Sequence, residues 1–388
     1  MSGFLPYGRH QISDADIAAV TEALRASHIT QGPLVERFEQ ALAEYTGAEY
    51  AVAFNSGTAA LHAAYAAAEI GPGRNVLTSP ITFVATANAA LYLGGHVAFA
   101  DVDPATGLID PDSTDDRAEP QTAAVVPVHF GGEVAPVEAL SAIGQARGWV
   151  VIEDAAHAIG ARYRATDGQE YRVGECAHSL MCCFSFHPVK QMTTGEGGAV
   201  TTNDPALYRR LKRFRTHGIT REPSEVGAAE GPWYYEQHEL GFNYRLTDFQ
   251  SALGMSQLAR LPEWIERRRA VAAWYENRLA GIDDVTPLRR PAGSIGAHHL
   301  FVVRVPPDRR RRVYEELVRQ GVGANVHYIP VYHQPFYRQR GFSRMALPGA
   351  ESYYGSALTL PLFPAMTEAD VDRVVTAVES AVQTEAAA

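Results

Sequence analysis

Trp149-Val150-Val151-Ile152-Glu153-Asp154-Ala155-Ala156-His157 reads as a strand that ends at a ligand. Its apolar run is short and rich in β-branched residues, as a strand buried on both faces requires, and it stops abruptly in two carboxylates. Strands of this kind belong to parallel sheets covered by helices. In an open parallel sheet the carboxyl ends of the strands border the ligand crevice, which places Asp154 to meet a ligand; capping of the following turn is the alternative role for the same side chain.

Working outward, comparable runs occur at 50–54, 75–78, 96–102, 123–130, 179–186 and 199–202, separated by helical or loop stretches. The alternation predicts an α/β fold with a mostly parallel central sheet. A capping box at Ser13-Asp14-Ala15-Asp16 opens a helix continued by Ile17, Val20 and Leu24, and a second helix carries Leu34, Val35, Phe38, Leu42 and Tyr45. Thr247-Asp248-Phe249-Gln250 opens another that runs toward Leu261, and Pro262 begins the next. Beyond Pro291 the pattern predicts a strand at 299–305, a helix at 308–320, a strand near 324–329 and a last helix after Thr367. We therefore expect a large α/β domain at 1–255, with a helical segment at 1–30, and a smaller α+β domain at 256–388.

The 388 residues carry 34 basic and 44 acidic side chains, a net charge of -10 that disfavours nucleic acid or an anionic membrane as partner. No apolar run reaches the about 18 residues of a membrane span. The N-terminus has no charged segment leading into an apolar core, so no secretory signal is expected. Cys176, Cys182 and Cys183 are too few for a disulfide framework and too poorly spaced for a metal site; they read as core filler in a cytoplasmic protein, with no metal expected.

Among the 34 cations only Lys190 and Lys212 are lysines. Lys212 falls on a charged helical face. Lys190 follows the apolar run Cys182-Cys183-Phe184-Ser185-Phe186 and precedes the Gly-rich Gly195-Glu196-Gly197-Gly198. An amine delivered there loses water and its pKa falls, as a Schiff-base lysine requires. Asn55-Ser56-Gly57-Thr58 is a small-residue turn feeding a helix N-terminus, which suits an anion and also suits a plain tight connection. A helix end for a phosphate, Asp154 for a ring nitrogen and Lys190 for an aldehyde are together the parts that hold pyridoxal 5′-phosphate. Phe83 is the candidate aromatic to stack on the ring, although a core role is the commoner one for such a residue.

These residues resemble the fold-type I pyridoxal-phosphate sugar aminotransferases, the DegT/DnrJ/EryC1/StrS family. The similarity includes Thr30-Gln31-Gly32-Pro33, Asn55-Ser56-Gly57-Thr58, Ile152-Glu153-Asp154-Ala155-Ala156-His157, Phe184-Ser185-Phe186-His187-Pro188-Val189-Lys190, Gly195-Glu196-Gly197-Gly198 and Gly241-Phe242-Asn243-Tyr244-Arg245. It implies Lys190 as the Schiff-base lysine, Asp154 against the pyridine nitrogen and His157 near the ring hydroxyl. Ser56, Gly57, Thr58 and Ser185 would surround the phosphate, and Asn243 would reach it from the partner subunit of a homodimer. Tyr7, the run His28-Ile29-Thr30-Gln31 and the run His327-Tyr328-Ile329-Pro330 would line the sugar-nucleotide pocket. Within the family the similarity points to the branch serving pseudaminic acid biosynthesis, which aminates C4 of a UDP-linked 4-keto-6-deoxy-N-acetylhexosamine with L-glutamate as donor. Two other readings compete: a dehydratase branch, whose members carry His in place of the lysine, and a non-catalytic cofactor-binding protein. A Rossmann binder is disfavoured, because no G-x-G-x-x-G follows the first strand. One departure is the stretch Thr166-Asp167-Gly168-Gln169-Glu170-Tyr171-Arg172, longer than the usual connection before the Lys-bearing strand.

Overall fold

The computed structural model describes residues 3–227 and 230–383. All seven anticipated runs become strands: β1 (Tyr50–Phe54), β2 (Asn75–Thr78), β3 (His96–Phe99), β4 (Thr122–Val126), β5 (Val150–Asp154), β6 (Met181–Ser185) and β7 (Gly198–Thr202). They form one sheet in the order β1-β7-β6-β5-β4-β2-β3. Only β7 runs antiparallel to its neighbours, so the sheet is mostly parallel. Its central strands are buried on both faces, which explains why they read as continuous apolar runs rather than as alternation.

Helices cover both faces. The capping box at Ser13 opens α1 (Asp14–Arg25), and α2 (Pro33–Thr46) follows. The face of α1 differs from expectation: Asp16 and Ala23 point inward while Ile17 and Leu24 stay exposed. Asp16 is drawn in because its carboxylate accepts from Ser13 and from the Gln257 amide. On the sheet lie α3 (Gly57–Ala67), α4 (Ala85–Tyr92) and α5 (Pro205–Arg215).

Pro262 does not end a helix. A single helix, α6 (Asp248–Leu279), runs through it, and the boundary expected at 255/256 falls inside that helix. Burial outweighs the lost backbone hydrogen bond. Leu258, Leu261, Trp264 and Ile265 anchor the first half in the core of the large sheet, and Val271, Ala272, Tyr275 and Leu279 anchor the second half in a separate core. That second core also holds Leu5, whose backbone pairs with Val322, so the N-terminal segment packs with the C-terminal part.

The C-terminal part is built on β8 (Thr286–Pro287), β9 (Phe301–Arg304) and β10 (Ala357–Leu360), with α7 (Arg310–Arg319) and α8 (Glu368–Gln383). The strand anticipated near 324–329 does not form. Only Asn325 bridges to β10, and the residues after it leave the sheet to line a cavity. The long connection at 166–172 resolves into a hairpin in which Arg162–Arg164 pairs with Glu170–Arg172, with Ser294–Ile295 added as a third strand. Among the described residues no helix is long and apolar enough to cross a membrane.

Candidate active site

At the carboxyl ends of β5 and β6 opens a cavity of about 670 Å³. Strand β5 delivers Asp154 to its floor. One Asp154 oxygen accepts from Thr86 Oγ1 at 2.6 Å and the other from the Ala156 N–H at 3.1 Å. Since Thr86 donates to the carboxylate, Thr82 supplies the next proton in line, its Oγ1 lying 2.7 Å from that of Thr86. Glu153, one residue earlier, faces the other side of the sheet, where His129 Nε2 at 2.7 Å and Ser179 hold it. Of the two carboxylates read at the strand end, Asp154 is the one that meets the cavity.

Lys190 stands on the wall beyond β6. Burial pulls its amine down to about 8, against the opposing attraction of the Asp154 carboxylate. His157 is buried, and burial, reinforced by the charges of Lys190 and His327, holds its imidazole well below the usual range. Its Nε2 lies 3.2 Å from the Tyr328 hydroxyl, while its Nδ1 has no partner among the described residues. The His299 ring packs on it with centroids 4.4 Å apart.

The helix end forms as anticipated. Ser56 caps α3 by accepting the Ala59 N–H at 3.1 Å, and Gly57 lies so close to β6 that a Cβ there would come within 2.8 Å of Ser185 Cβ. Ser56, Gly57, Thr58 and Ser185 all line the cavity, as does Phe83, exposed at its mouth just ahead of α4. Tyr7, His327, Tyr328 and Ile329 supply the facing wall. Both His327 nitrogens are engaged, with Asn325 Nδ2 at 3.3 Å and Thr359 Oγ1 at 2.8 Å, so it offers the cavity a ring rather than a free nitrogen.

The structure does not bring every anticipated residue here. Pro330 is buried but does not line the cavity. His28, Ile29, Thr30 and Gln31 are exposed on a loop strapped to the start of α6: the Asp248 N–H donates to Ile29 O, and the Asp248 carboxylate accepts the Gly32 and Leu34 N–H groups. Asn243 is also exposed and lies outside its own chain's cavity. Conversely, Thr82, Thr86 and His299 were not anticipated. The first two had a faint signal, an i, i+4 pair of hydroxyls beside Phe83; His299 had none. The three cysteines are buried, which pushes Cys176 up to about 12 and the other two well above the usual thiol range, in keeping with inert filler.

Comparison with known proteins then decides the family. Residues 10–379 match the DegT/DnrJ/EryC1/StrS aminotransferase family. The chain belongs to that family. It is 38% identical over 387 residues to the spore coat polysaccharide biosynthesis protein SpsC of Bacillus subtilis (strain 168), covering 98% of this chain and 97% of SpsC. Among solved structures it resembles Helicobacter pylori PseC, an aminotransferase involved in pseudoaminic acid biosynthesis, with a TM-score of 0.90, 30% identity and coverage of 98% and 99%. It likewise resembles the PLP form of the Streptococcus pneumoniae sugar aminotransferase Spr1654, with a TM-score of 0.89, 27% identity and coverage of 98% and 99%.

The protein is thus a pyridoxal-phosphate-dependent sugar aminotransferase of fold type I. The residues present fit that cofactor. A poorly solvated amine, a strand-end carboxylate, a capped helix N-terminus and an unpartnered buried His157 nitrogen converge on one cavity.

Proposed function

We propose that the enzyme transfers the amino group of L-glutamate to C4 of a UDP-linked 4-keto-6-deoxy-N-acetylhexosamine, the amination used in pseudaminic acid biosynthesis, and that it works as a homodimer. The observation that carries the transfer chemistry is Lys190, a partly buried lysine whose amine pKa is lowered to about 8, on the wall of a cavity floored by Asp154. The likeness to PseC favours the substrate.

The residue roles follow from position. Lys190 would join the cofactor aldehyde, Asp154 would face the ring nitrogen with His157 beside the ring, and Ser56, Gly57, Thr58 and Ser185 would hold the phosphate. When bound, the cofactor supplies a positively charged conjugated ring that accepts electron density from the carbon losing a proton. Asp154 keeps that ring charged, and Thr86 and the Ala156 N–H hold the carboxylate in place. As a free amine Lys190 would take the proton from the donor α-carbon and hand it to the carbon that carried the cofactor aldehyde, and in the second half-reaction it would carry a proton the opposite way, to the sugar carbon. A guanidinium cannot perform this shuttle at neutral pH. Tyr7, Tyr328 and Ile329 shape the wall for the sugar nucleotide, and Asn243 of each chain serves its partner's site.

The test is to follow the visible spectrum of the protein loaded with pyridoxal phosphate as L-glutamate is added, and then to supply the UDP-4-keto sugar and locate the new amine by NMR. We expect bleaching, one 2-oxoglutarate per aminated sugar, and nitrogen at C4. Lys190→Arg should bind cofactor without turnover, and appreciable transamination by it would overturn the assigned role. The 38% identity to SpsC supports a second reading, amination of a different nucleotide-linked keto-sugar. Bleaching by glutamate, followed by reaction only with such a sugar, would select it.

A further inference from the structure

Helix α3 carries, beyond its phosphate-binding end, a buried histidine that the mechanism leaves unused. His62 Nδ1 lies 3.0 Å from the Tyr244 hydroxyl. Its ring is enclosed by Tyr92 at 5.4 Å, Phe214 at 5.2 Å, Phe242 at 5.0 Å and Tyr244 at 5.8 Å between centroids. Phe242 and Tyr244 stack on each other at 4.9 Å and an interplanar angle of 13°. With both of these rings turned in toward His62, the residue between them, Asn243, is left exposed on the opposite side. The backbone here is also fixed. Phe242 N–H donates to Phe214 O at 2.9 Å, Tyr244 N–H to Arg215 O at 3.0 Å, and Asn55 N–H to Tyr244 O at 2.9 Å.

The hydrogen bond between His62 and Tyr244 adds to the ladder a side-chain tie to α3. The backbone bonds and the alternation of side chains set which face Asn243 presents, and a Tyr244 hydroxyl tied to a buried ring on α3 holds that face at a fixed position relative to the helix. We propose that His62 is a positioning residue that aims Asn243 at the partner subunit's active site. This rests on the reading above that Asn243 acts across the dimer. The alternative is that His62 acts within its own chain, by steadying α3 and so the turn Ser56-Gly57-Thr58.

The two routes separate in mixed dimers. His62→Phe keeps a ring in the aromatic box and removes the hydrogen bond; Tyr244→Phe removes the same bond from the other side with the least change in packing. Each should lower kcat about tenfold, the effect of one neutral buried hydrogen bond. Either variant is co-expressed with Lys190→Ala under a different affinity tag, and the doubly tagged dimer is purified through both. In that dimer the intact Lys190 belongs to the chain altered at 62 or 244, while the Asn243 facing it comes from the Lys190→Ala chain, whose His62 is native. We expect about half the activity of the wild-type dimer, since one site of two is complete. Activity per intact lysine no higher than that of the His62→Phe homodimer would overturn the proposal. Asn243→Ala paired with Lys190→Ala is the control: if that dimer also fails to recover, the shared-site reading falls and the role of His62 falls with it.

Discussion

Lys190, the residue proposed to carry the proton transfers, illustrates how a poorly solvated amine costs stability. Burial lowers its pKa to about 8 from an ordinary value near 10.5. Between those two values the unfolded chain binds one more proton than the folded chain, so stability rises with pH across that window and is flat on either side of it. Below pH 8 the folded protein therefore bears about 3 kcal/mol of penalty from this one amine. The expected outcome is that cofactor-free Lys190→Met is more stable than wild type at pH 7 and that the difference shrinks between pH 8 and 10.5. A constant difference in urea denaturation across that range would refute a depressed amine. Thr86 poses the complementary case. Its hydroxyl donates to Asp154 at 2.6 Å, and a bond to a charged group contributes about 1.5 to 3 kcal/mol. Thr86→Val should thus weaken cofactor retention by roughly 10-fold or more, read from a titration of the visible band. Sequence pointed to Asp154 and Lys190 because carboxylates and a lone lysine at strand ends have few structural uses. It did not point to Thr86 or His299, because a threonine on a helix and a histidine at a strand edge are common for other reasons. Thr86 gains its role only once β5 and α4 lie side by side, and His299 only once the segment ahead of β9 packs on His157.

At the level of elements, the strands of the large domain were legible because burial on both faces leaves an unbroken apolar run, and each of its seven anticipated runs occupies a place in the central sheet. What misled was a residue read by local rules alone. Pro262 signals a helix start, yet apolar side chains on both sides of it pull α6 into one piece. The run 324–329 has strand composition, but its residues are committed to the cavity wall instead of to β10. The antiparallel insertion of β7 was equally invisible, since direction leaves no mark in composition. It has a consequence for the turn Ser56-Gly57-Thr58 at the start of α3. Gly198 begins β7 where β1 and β6 close in, and a Cβ there would lie 2.6 Å from Ser56 O, 2.7 Å from Gly57 N and 2.7 Å from Phe184 O. These are backbone atoms and cannot rotate away. Gly198→Ala should therefore push the Ser56-Gly57 turn out of place, at about 1 to 3 kcal/mol for an overpacked site, and the loss should fall on cofactor affinity. Unchanged affinity in an equilibrium titration would show that the turn tolerates displacement.

The molecule as a whole is coupled through α6. Its first half is anchored under the large sheet and its second half in the core shared by Leu5, β9, β10, α7 and α8, with the junction between them inside a continuous helix. Arg268 strengthens the junction: fully buried, it donates to the carbonyls of His298 at 3.2 Å, His299 at 3.4 Å and Leu362 at 3.2 Å, so losing either core would strand a cation. The site lies where these parts meet, since Lys190 and Asp154 come from the large sheet while Tyr7, His327 and Tyr328 come from the segments packed with the second core. Independent unfolding of the C-terminal part would therefore dismantle the cavity wall, and a continuous helix disfavours it because α6 cannot lose half its packing and keep the rest. A damaged second core should destabilise the entire chain. Tyr275 is the place to apply the damage: it is fully buried, stacks on Phe301 with centroids 4.7 Å apart, and donates to Pro361 O at 2.9 Å. Tyr275→Ala should cost about 3 to 5 kcal/mol. In cofactor-free protein, denaturant unfolding followed by far-ultraviolet dichroism and by tryptophan fluorescence should shift as one coincident transition, because Trp264 reports the first core and Trp274 packs against the second. Two separated transitions, one of them unmoved by the substitution, would show that the helix does not transmit the loss and that the two cores unfold as independent units.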